Sequence, residues 1–182
     1  MKVSDSKAAV IVILTGPPGA GKSTIANALV KTFDSPGVHL QADDFWHFIK
    51  QGYIPPYLPE AHNQNGVVID ALASTTRCYA RAGYFVVVDG VIGPWFLGRF
   101  RKIVGTTLHY VVLRPDFETT MARAQARPDS ALKEREAIEN LYKQFAALGN
   151  LERHVVDTST HLVIATLDAV RRGISNELFQ LG

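Results

Sequence analysis

The sequence predicts an α/β fold in which a parallel sheet of about five strands carries helices on both faces. Apolar, β-branched runs of strand length alternate with stretches of helical periodicity along the chain. This order of elements favours right-handed crossovers between parallel strands. The first apolar run is followed directly by a glycine-rich turn and a good helix. With 182 residues and 47% apolar composition, we expect one domain over residues 1–182.

The glycine-rich turn at residues 16–23 fits the phosphate-binding loop pattern G-x-x-x-x-G-K-[ST] at every fixed position. Residues 9–14 before it are typical of a strand buried on both faces, and a helix follows that we expect to end near Phe33. Such a loop turns its backbone N–H groups inward, next to the positive end of the helix dipole. We expect a polyphosphate site, with Lys22 on the β- and γ-phosphates and Ser23 on Mg²⁺. The predicted nucleotide-binding residues here are Gly16, Pro17, Pro18, Gly19, Ala20, Gly21, Lys22, Ser23 and Thr24.

Acidic residues follow the next two predicted strands. A short strand at 38–41 leads to the pair Asp43-Asp44 and to a short helix that we expect to open at Phe45. Ligands of open α/β sheets bind outside the carboxyl ends of the strands. A second buried strand ends in Asp89, which is the Walker B arrangement, where a carboxylate holds Mg²⁺ directly or through water. Ser23 and Asp89 are therefore the predicted metal residues.

Between these acids lies a proline-rich stretch, residues 52–60. Three prolines exclude a helix or a central strand, so we expect an ordered, extended loop over the mouth of the site. The polar cluster 62–65 precedes a predicted helix at 66–82. Its side chains either cap that helix or touch the substrate. A short helix from residue 93 to about 104 and a strand at 107–113 come next.

The last third of the chain carries a predicted lid, at about residues 123–135. Asp116 is a good N-cap for a helix that places Arg123 and Arg127 on one face. A further helix shows apolar residues at helical spacing from Ile138 to Leu148. A short strand at 154–157 then leads to a final helix. We expect Ser159 or Thr160 to cap it, and Val163, Leu167, Val170, Ile174 and Leu178 to form its inward stripe.

With these motifs in place, the chain resembles the P-loop kinase branch of small nucleoside-triphosphate enzymes over essentially its whole length. Asp43-Asp44 stands where chloramphenicol phosphotransferase, gluconate kinase, adenylylsulfate kinase and the 5′-polynucleotide kinases place the acid that engages the acceptor hydroxyl. The Arg123-x-x-x-Arg127 segment resembles their arginine-bearing lid, and Val156 to Ser159 resembles the turn beside the adenine. The stretches 43–46, 64–65 and 89–95 together look most like the bacterial P-loop kinase-like ATPases.

The resemblance implies a P-loop NTPase fold and transfer of the γ-phosphate of ATP, with Mg²⁺, to a hydroxyl of a small molecule. It implies Lys22, Asp43, Asp44, Arg123 and Arg127 as catalytic residues, with Arg127 also on the nucleotide. Asp43 is expected to be the orienting base, and Asp44 a helix cap or a support for Mg²⁺. The inverse assignment stays open. Each assignment has a competing structural interpretation. The acidic pair could only cap the helix, and the two arginines could lie on a solvated helix face. The aromatic residues near the site could serve packing alone.

Charge and composition limit the classes of molecule that we expect this protein to bind. The net charge of +2 comes from 19 basic and 17 acidic residues, and the longest basic run is Arg171-Arg172. This disfavours nucleic acid as a partner. From Thr32 to Thr76 the only lysine or arginine is Lys50, which disfavours a strongly anionic acceptor. The single cysteine and the polar N-terminus lead us to expect a cytoplasmic protein without a membrane segment.

Two alternatives to a small-molecule kinase stay open at this point. A 5′-hydroxyl nucleic-acid kinase is compatible with the Asp-Asp-Phe stretch, and an NTPase or nucleotide switch without an acceptor is compatible with the phosphate-binding loop alone.

Overall fold

The computed structural model describes residues 9–103, 105–126, 132–160 and 162–182. Its five-stranded sheet has the order β2-β3-β1-β4-β5, and every pair of neighbouring strands is parallel. The strands are β1 (Ala9–Thr15), β2 (Gly37–Gln41), β3 (Phe85–Asp89), β4 (Thr106–Leu113) and β5 (Val155–Val156). The predicted α/β class and the predicted number of strands are confirmed.

Seven helices connect or follow these strands in the described part of the chain. They are α1 (Lys22–Leu29), α2 (Ala42–His47), α3 (His62–Arg81), α4 (Leu97–Phe100), α5 (Phe117–Gln125), α6 (Arg135–Ala146) and α7 (Val163–Ser175). Short 3₁₀ segments occur at Val30–Thr32, Pro59–Ala61, Pro94–Phe96 and Gly149–His154. None of the helices within the described ranges is both long and apolar enough to cross a bilayer.

The core has two layers because side chains alternate across the strands. In β1, Ile11 and Ile13 face the layer that contains α3. Val12 and Leu14 face the layer that contains α1 and α7. All four side chains are fully buried, which explains why the strand has no polar residue at alternate positions. The sheet therefore holds its carboxyl ends rigidly between the two layers, at the edge where the site lies.

The end of the chain returns to the sheet in a way the sequence did not predict. Leu181 N–H donates to Leu108 C=O and Tyr110 N–H donates to Phe179 C=O, both at 2.9 Å. The short β5 pairs only with Val112 and Leu113, so these bonds cover the part of the β4 edge that β5 leaves open.

Two predicted helix starts near the site are wrong. The helix α2 begins at Ala42 and not at Phe45, because the chain turns directly from β2 into the helix. A Cβ added at Gly90 would lie 2.5 Å from the Cβ of Ala42, so this junction is packed tightly against the end of β3. The helix α3 begins at His62 and not at residue 66, since a 3₁₀ turn runs straight into it.

Other differences concern helix ends. The helix predicted from residue 93 is a 3₁₀ turn followed by α4, which ends at Phe100, short of the predicted end near 104. In α7 the N-cap is Leu162, with no side-chain cap, so the prediction of Ser159 or Thr160 is wrong. Val163 and Leu178 of its predicted inward stripe are exposed, while Val170 and Ile174 are buried. The predicted cap Asp116 is confirmed, because its carboxylate accepts from Thr119 N–H at 2.7 Å.

Candidate active site

The phosphate-binding loop lies between β1 and α1, as predicted. Gly16, Gly19 and Gly21 have φ angles of 138°, 80° and 87°, which residues with a Cβ rarely adopt. A Cβ at Gly16 would lie 2.0 Å from the carbonyl oxygen of Leu113. The loop is therefore packed onto the end of β4, and α1 starts directly after Gly21. The first turn of α1 thus begins at the loop, where the positive end of the helix dipole favours an anion.

Lys22 is held across this loop. Its Nζ donates to the Pro17 carbonyl oxygen at 2.9 Å, and the side chain is half-buried. This bond stretches the lysine back over the glycine-rich turn, so its charge lies where phosphate oxygens would be cradled. Ser23 and Thr24 follow on α1, and both line the cavity described below.

Asp89 sits at the centre of a three-residue contact at the end of β3. The carboxylate is buried, with 3% of the residue exposed. Its Oδ2 accepts from the Ser23 hydroxyl at 2.6 Å, and its Oδ1 lies 2.6 Å from His39 Nε2. An ionised carboxylate only accepts hydrogen bonds, so Nε2 carries the proton. The contact satisfies both oxygens of a carboxylate that would otherwise be costly to bury.

His39 was missed by the sequence analysis. It lies on β2, where its neighbour in the strand register is Val87, two residues before Asp89. The two side chains project from the same face of adjacent strands, which brings them together. The only sequence signal is a histidine between two apolar residues of a short strand, and that signal does not name Asp89 as the partner.

The pair Ser23 and Asp89 fits Mg²⁺ by its chemistry. Hydroxyl and carboxylate oxygens are the donors that this ion prefers, and here they meet at the N-terminus of α1. No cluster of three or more His, Cys, Asp or Glu side chains suited to a metal occurs among the described residues. An ion at this place would therefore complete its shell with phosphate oxygens and water, as Mg²⁺ commonly does.

A large cavity joins the phosphate-binding loop to the proline-rich loop. Its volume is about 1160 Å³, enough for a nucleotide and a second small molecule. The floor includes Lys22, Ser23 and Asp89, and Arg123 lines it from α5. The opposite wall comes from α2, the proline-rich loop, the start of α3 and the segment after β3, and includes Asp43, Trp46, Tyr53, Tyr57, His62 and Trp95.

The proline-rich loop is tied down by two amide side chains of α3. Gln64 accepts from Ile54 N–H at 2.9 Å and donates to Ile54 C=O at 2.6 Å. Asn65 donates to Pro56 C=O at 2.8 Å and accepts from Trp46 Nε1 at 2.8 Å. The prediction of an ordered loop at the mouth is confirmed. Of the two alternatives for residues 62–65, the capping one is wrong, since α3 starts at His62 without a side-chain cap bond and these two amides anchor the loop instead.

Asp43 and Asp44 differ in what they face. Both lie in the first turn of α2, both are exposed, and the N-cap position belongs to Gln41 without a side-chain cap bond. The expectation that Asp44 caps the helix is therefore wrong. Asp43 lines the cavity and Asp44 does not. The Asp43 charge also helps to raise the pKa of Tyr53, after burial and the neighbouring Tyr57.

The predicted lid lies partly within the described residues. Arg123 lies in the last turn of α5, and its Nη2 donates to Ser159 C=O at 3.4 Å. Arg127 lies outside the described residues. Ser159 accepts from Asp116 N–H at 2.8 Å through its hydroxyl, and its own N–H donates to Asp157 at 2.8 Å. These bonds fix the turn after β5 against the start of α5, and a role beside the adenine stays a prediction.

A family model for AAA domains matches residues 12–144. The chain belongs to this AAA domain family. The matched segment starts within β1 and includes the phosphate-binding loop, the acidic pair, Asp89 and Arg123. No curated protein matches the sequence.

Solved structures share the fold at low identity. A sugar kinase from Janibacter sp. HTCC2649 has a TM-score of 0.67 and 18% identity, with 93% of this chain and 95% of that chain covered. Shikimate kinase from Acinetobacter baumannii has a TM-score of 0.63 and 15% identity, with 94% and 96% covered. A chain of the Pnkp1/Rnl/Hen1 RNA repair complex has a TM-score of 0.61 and 19% identity, with 79% and 46% covered. The fold is that of the P-loop kinases, as the sequence predicted.

Proposed function

We propose that this protein transfers the γ-phosphate of ATP to a hydroxyl group of a small molecule. The observation that carries the proposal is one cavity of about 1160 Å³, whose lining includes both the phosphate-binding loop and a second set of residues with the Asp43 carboxylate. A protein that only bound or hydrolysed nucleotide would have no need for this second compartment.

The donor end supplies binding and charge. The loop N–H groups and Lys22 hold the phosphates, and Arg123 lies on the same cavity from α5. Ser23 and Asp89 would hold Mg²⁺, which neutralises the charge that develops on the phosphate oxygens. His39 fixes the Asp89 carboxylate by its bond to Oδ1, so Oδ2 keeps its direction toward Ser23.

The acceptor end supplies orientation and a base. Asp43 lines the same cavity as the phosphate-binding loop, where it can accept a hydrogen bond from the acceptor hydroxyl and take its proton as the oxygen attacks. Positioning of this kind is most of what phosphoryl transfer requires from a protein. The anchored proline-rich loop narrows the mouth of the cavity and so limits the entry of water, which competes as an acceptor.

The proposal is tested by incubating the protein with γ-labelled ATP, Mg²⁺ and a metabolite extract from a bacterium. We expect a new labelled phosphomonoester in addition to inorganic phosphate, and we expect Lys22→Ala to form neither. Label that moves only into inorganic phosphate would favour an NTPase or nucleotide switch. Label that moves to the ends of added 5′-hydroxyl oligonucleotides, with strong salt dependence, would favour a nucleic-acid kinase.

A further inference from the structure

The wall opposite the phosphate-binding loop is unusually aromatic. Five aromatic side chains line it, namely Trp46, Tyr53, Tyr57, Trp95 and Phe96. Three of them are large and yet well exposed, with Trp95 at 54%, Tyr53 at 44% and Tyr57 at 39%. Exposed aromatic faces grouped around a cavity are characteristic of ligand-binding sites, because their apolar surface stays in contact with water until a ligand covers it.

These aromatic rings are held in place before any ligand arrives. A Cβ added at Gly93 would lie 2.2 to 2.4 Å from three atoms of the Trp95 ring, so the indole lies flat on the backbone of Gly93. Trp46 is fixed by the bond from Nε1 to Asn65. Tyr53 flanks Ile54, whose backbone N–H and C=O are both bound by Gln64. Such preorganisation reduces the entropy cost of binding a flat ligand.

The charge on the same wall is negative. Four segments form this wall, namely α2, the proline-rich loop, the start of α3 and residues 90–96, and all of them lie within the described ranges. Their lining residues include Asp43 but no lysine or arginine. His47 and His62 are the only histidines that these segments contribute to the lining. The cationic residues Lys22 and Arg123 lie at the donor end, where the nucleotide phosphates would pair with them.

We propose that the phosphate acceptor is an alcohol that carries an aromatic ring and no negative charge. The ring would lie against the Trp95 and tyrosine faces, with its hydroxyl directed to Asp43. An ammonium group on the same molecule would strengthen binding through Asp43 and the ring faces, whereas a carboxylate would meet Asp43 on a wall whose described segments contribute no lysine or arginine. This inference rests on the proposed function, because it names the acceptor of that same cavity.

Tryptophan fluorescence tests the inference without phosphate transfer, since both tryptophans of the chain line this cavity. The probes are phenylethanolamine, phenylethylene glycol and mandelate, which share a phenyl ring and a benzylic hydroxyl and differ in charge. Isopropanolamine keeps the amine and hydroxyl but has no ring. Each probe is titrated in the presence of Mg²⁺ and a non-hydrolysable ATP analogue.

We expect saturable emission changes with phenylethanolamine and phenylethylene glycol, and dissociation constants at least about tenfold weaker for mandelate and for isopropanolamine. Mandelate that binds as tightly as phenylethylene glycol would overturn the charge argument. Isopropanolamine that binds as tightly as phenylethanolamine would overturn the aromatic argument. No saturable change with either of the two favoured probes would also overturn the inference. If the binding pattern is found but no probe or extract compound is ever phosphorylated, the proposed function fails while the binding site stands.

Variants distinguish a specific effect of the aromatic wall on ligand binding from a general effect on folding. Trp95→Leu should weaken the binding of phenylethylene glycol by about tenfold without changing the affinity for the ATP analogue. The matched control is Phe48→Leu, an aromatic residue of similar exposure at 68% that does not line the cavity, and it should change neither affinity. Asp43→Asn should reduce the preference for phenylethanolamine over mandelate. Equal losses in Trp95→Leu and Phe48→Leu would refute the assignment of the wall.

Discussion

Asp43 and Asp44 form a natural matched pair for testing the acceptor end of the cavity. Both are exposed acids in the first turn of α2, so each interacts with the same helix dipole. Only Asp43 lines the cavity. The substitutions Asp43→Asn and Asp44→Asn remove the same charge from adjacent positions with almost no change in volume. A difference between them therefore reports what the cavity adds.

The expected magnitudes differ by the role of each group. Loss of a favourable charge at a helix N-terminus costs about 0.3 to 1 kcal/mol, which lowers the melting temperature by about 1 to 4 °C for a chain of this size. We expect both variants to show this loss. Loss of a positioned general base lowers the rate by about 10²- to 10⁴-fold, equivalent to about 3 to 5 kcal/mol of activation free energy. We expect only Asp43→Asn to show this second loss.

The assay is the rate of phosphate transfer to an acceptor found by extract labelling, with melting measured on the same preparations. Nucleotide affinity should stay within about twofold of the wild type in both variants, because neither acid lies at the phosphate-binding loop. If Asp44→Asn is the inactive variant, the assignment of the base is inverted. If both variants lose the same small amount of rate, the pair acts only through the helix.

Other predictions concern the donor end. Lys22→Ala should abolish transfer and hydrolysis with an unchanged melting temperature in the absence of nucleotide, since its amine serves the phosphates; unchanged turnover would refute the assignment. Mg²⁺ with ATP at about 100 times the dissociation constant should stabilise the wild type by about 2.7 kcal/mol, or about 5 to 11 °C, as measured by calorimetry. No shift at millimolar ATP would contradict a nucleotide site. His39→Ala should lower the free energy of unfolding by about 1 to 3 kcal/mol, because the buried Oδ1 of Asp89 loses its hydrogen-bond donor. His39→Gln should retain more of this stability, because the glutamine amide can donate in place of the imidazole. If His39→Ala has the same free energy of unfolding as the wild type, the contact contributes nothing to stability.

The sequence predicted those parts of the fold that depend on local signals. The phosphate-binding loop was predicted residue by residue because its glycines, Lys22 and Ser23 stand in one continuous stretch between an apolar strand and a helix. The buried strands were predicted because both of their faces are apolar. The position of Asp89 was predicted on the same grounds, since a carboxylate at the buried end of such a strand has few structural uses.

The missed features depend on contacts between distant parts of the chain. His39 and Asp89 are 50 positions apart, and only the register of β2 on β3 brings them together. The helix α2 starts at Ala42, which packs closely on Gly90 at the end of β3, and no capping signal in the local sequence reveals this contact. Gln64 and Asn65 look like capping residues from sequence alone, yet their side chains bind a loop about ten residues earlier. Element types were thus predictable, whereas their ends and the site contacts required the fold.

We propose that one cavity passes phosphate from a nucleotide to an alcohol. The most direct test follows ATP, Mg²⁺ and the identified acceptor with the wild-type protein by ³¹P nuclear magnetic resonance, which resolves ADP, phosphomonoester and inorganic phosphate in one sample. We expect ADP and phosphomonoester to appear in equal amounts, with little inorganic phosphate. ADP matched by inorganic phosphate alone, at every acceptor concentration, would contradict it.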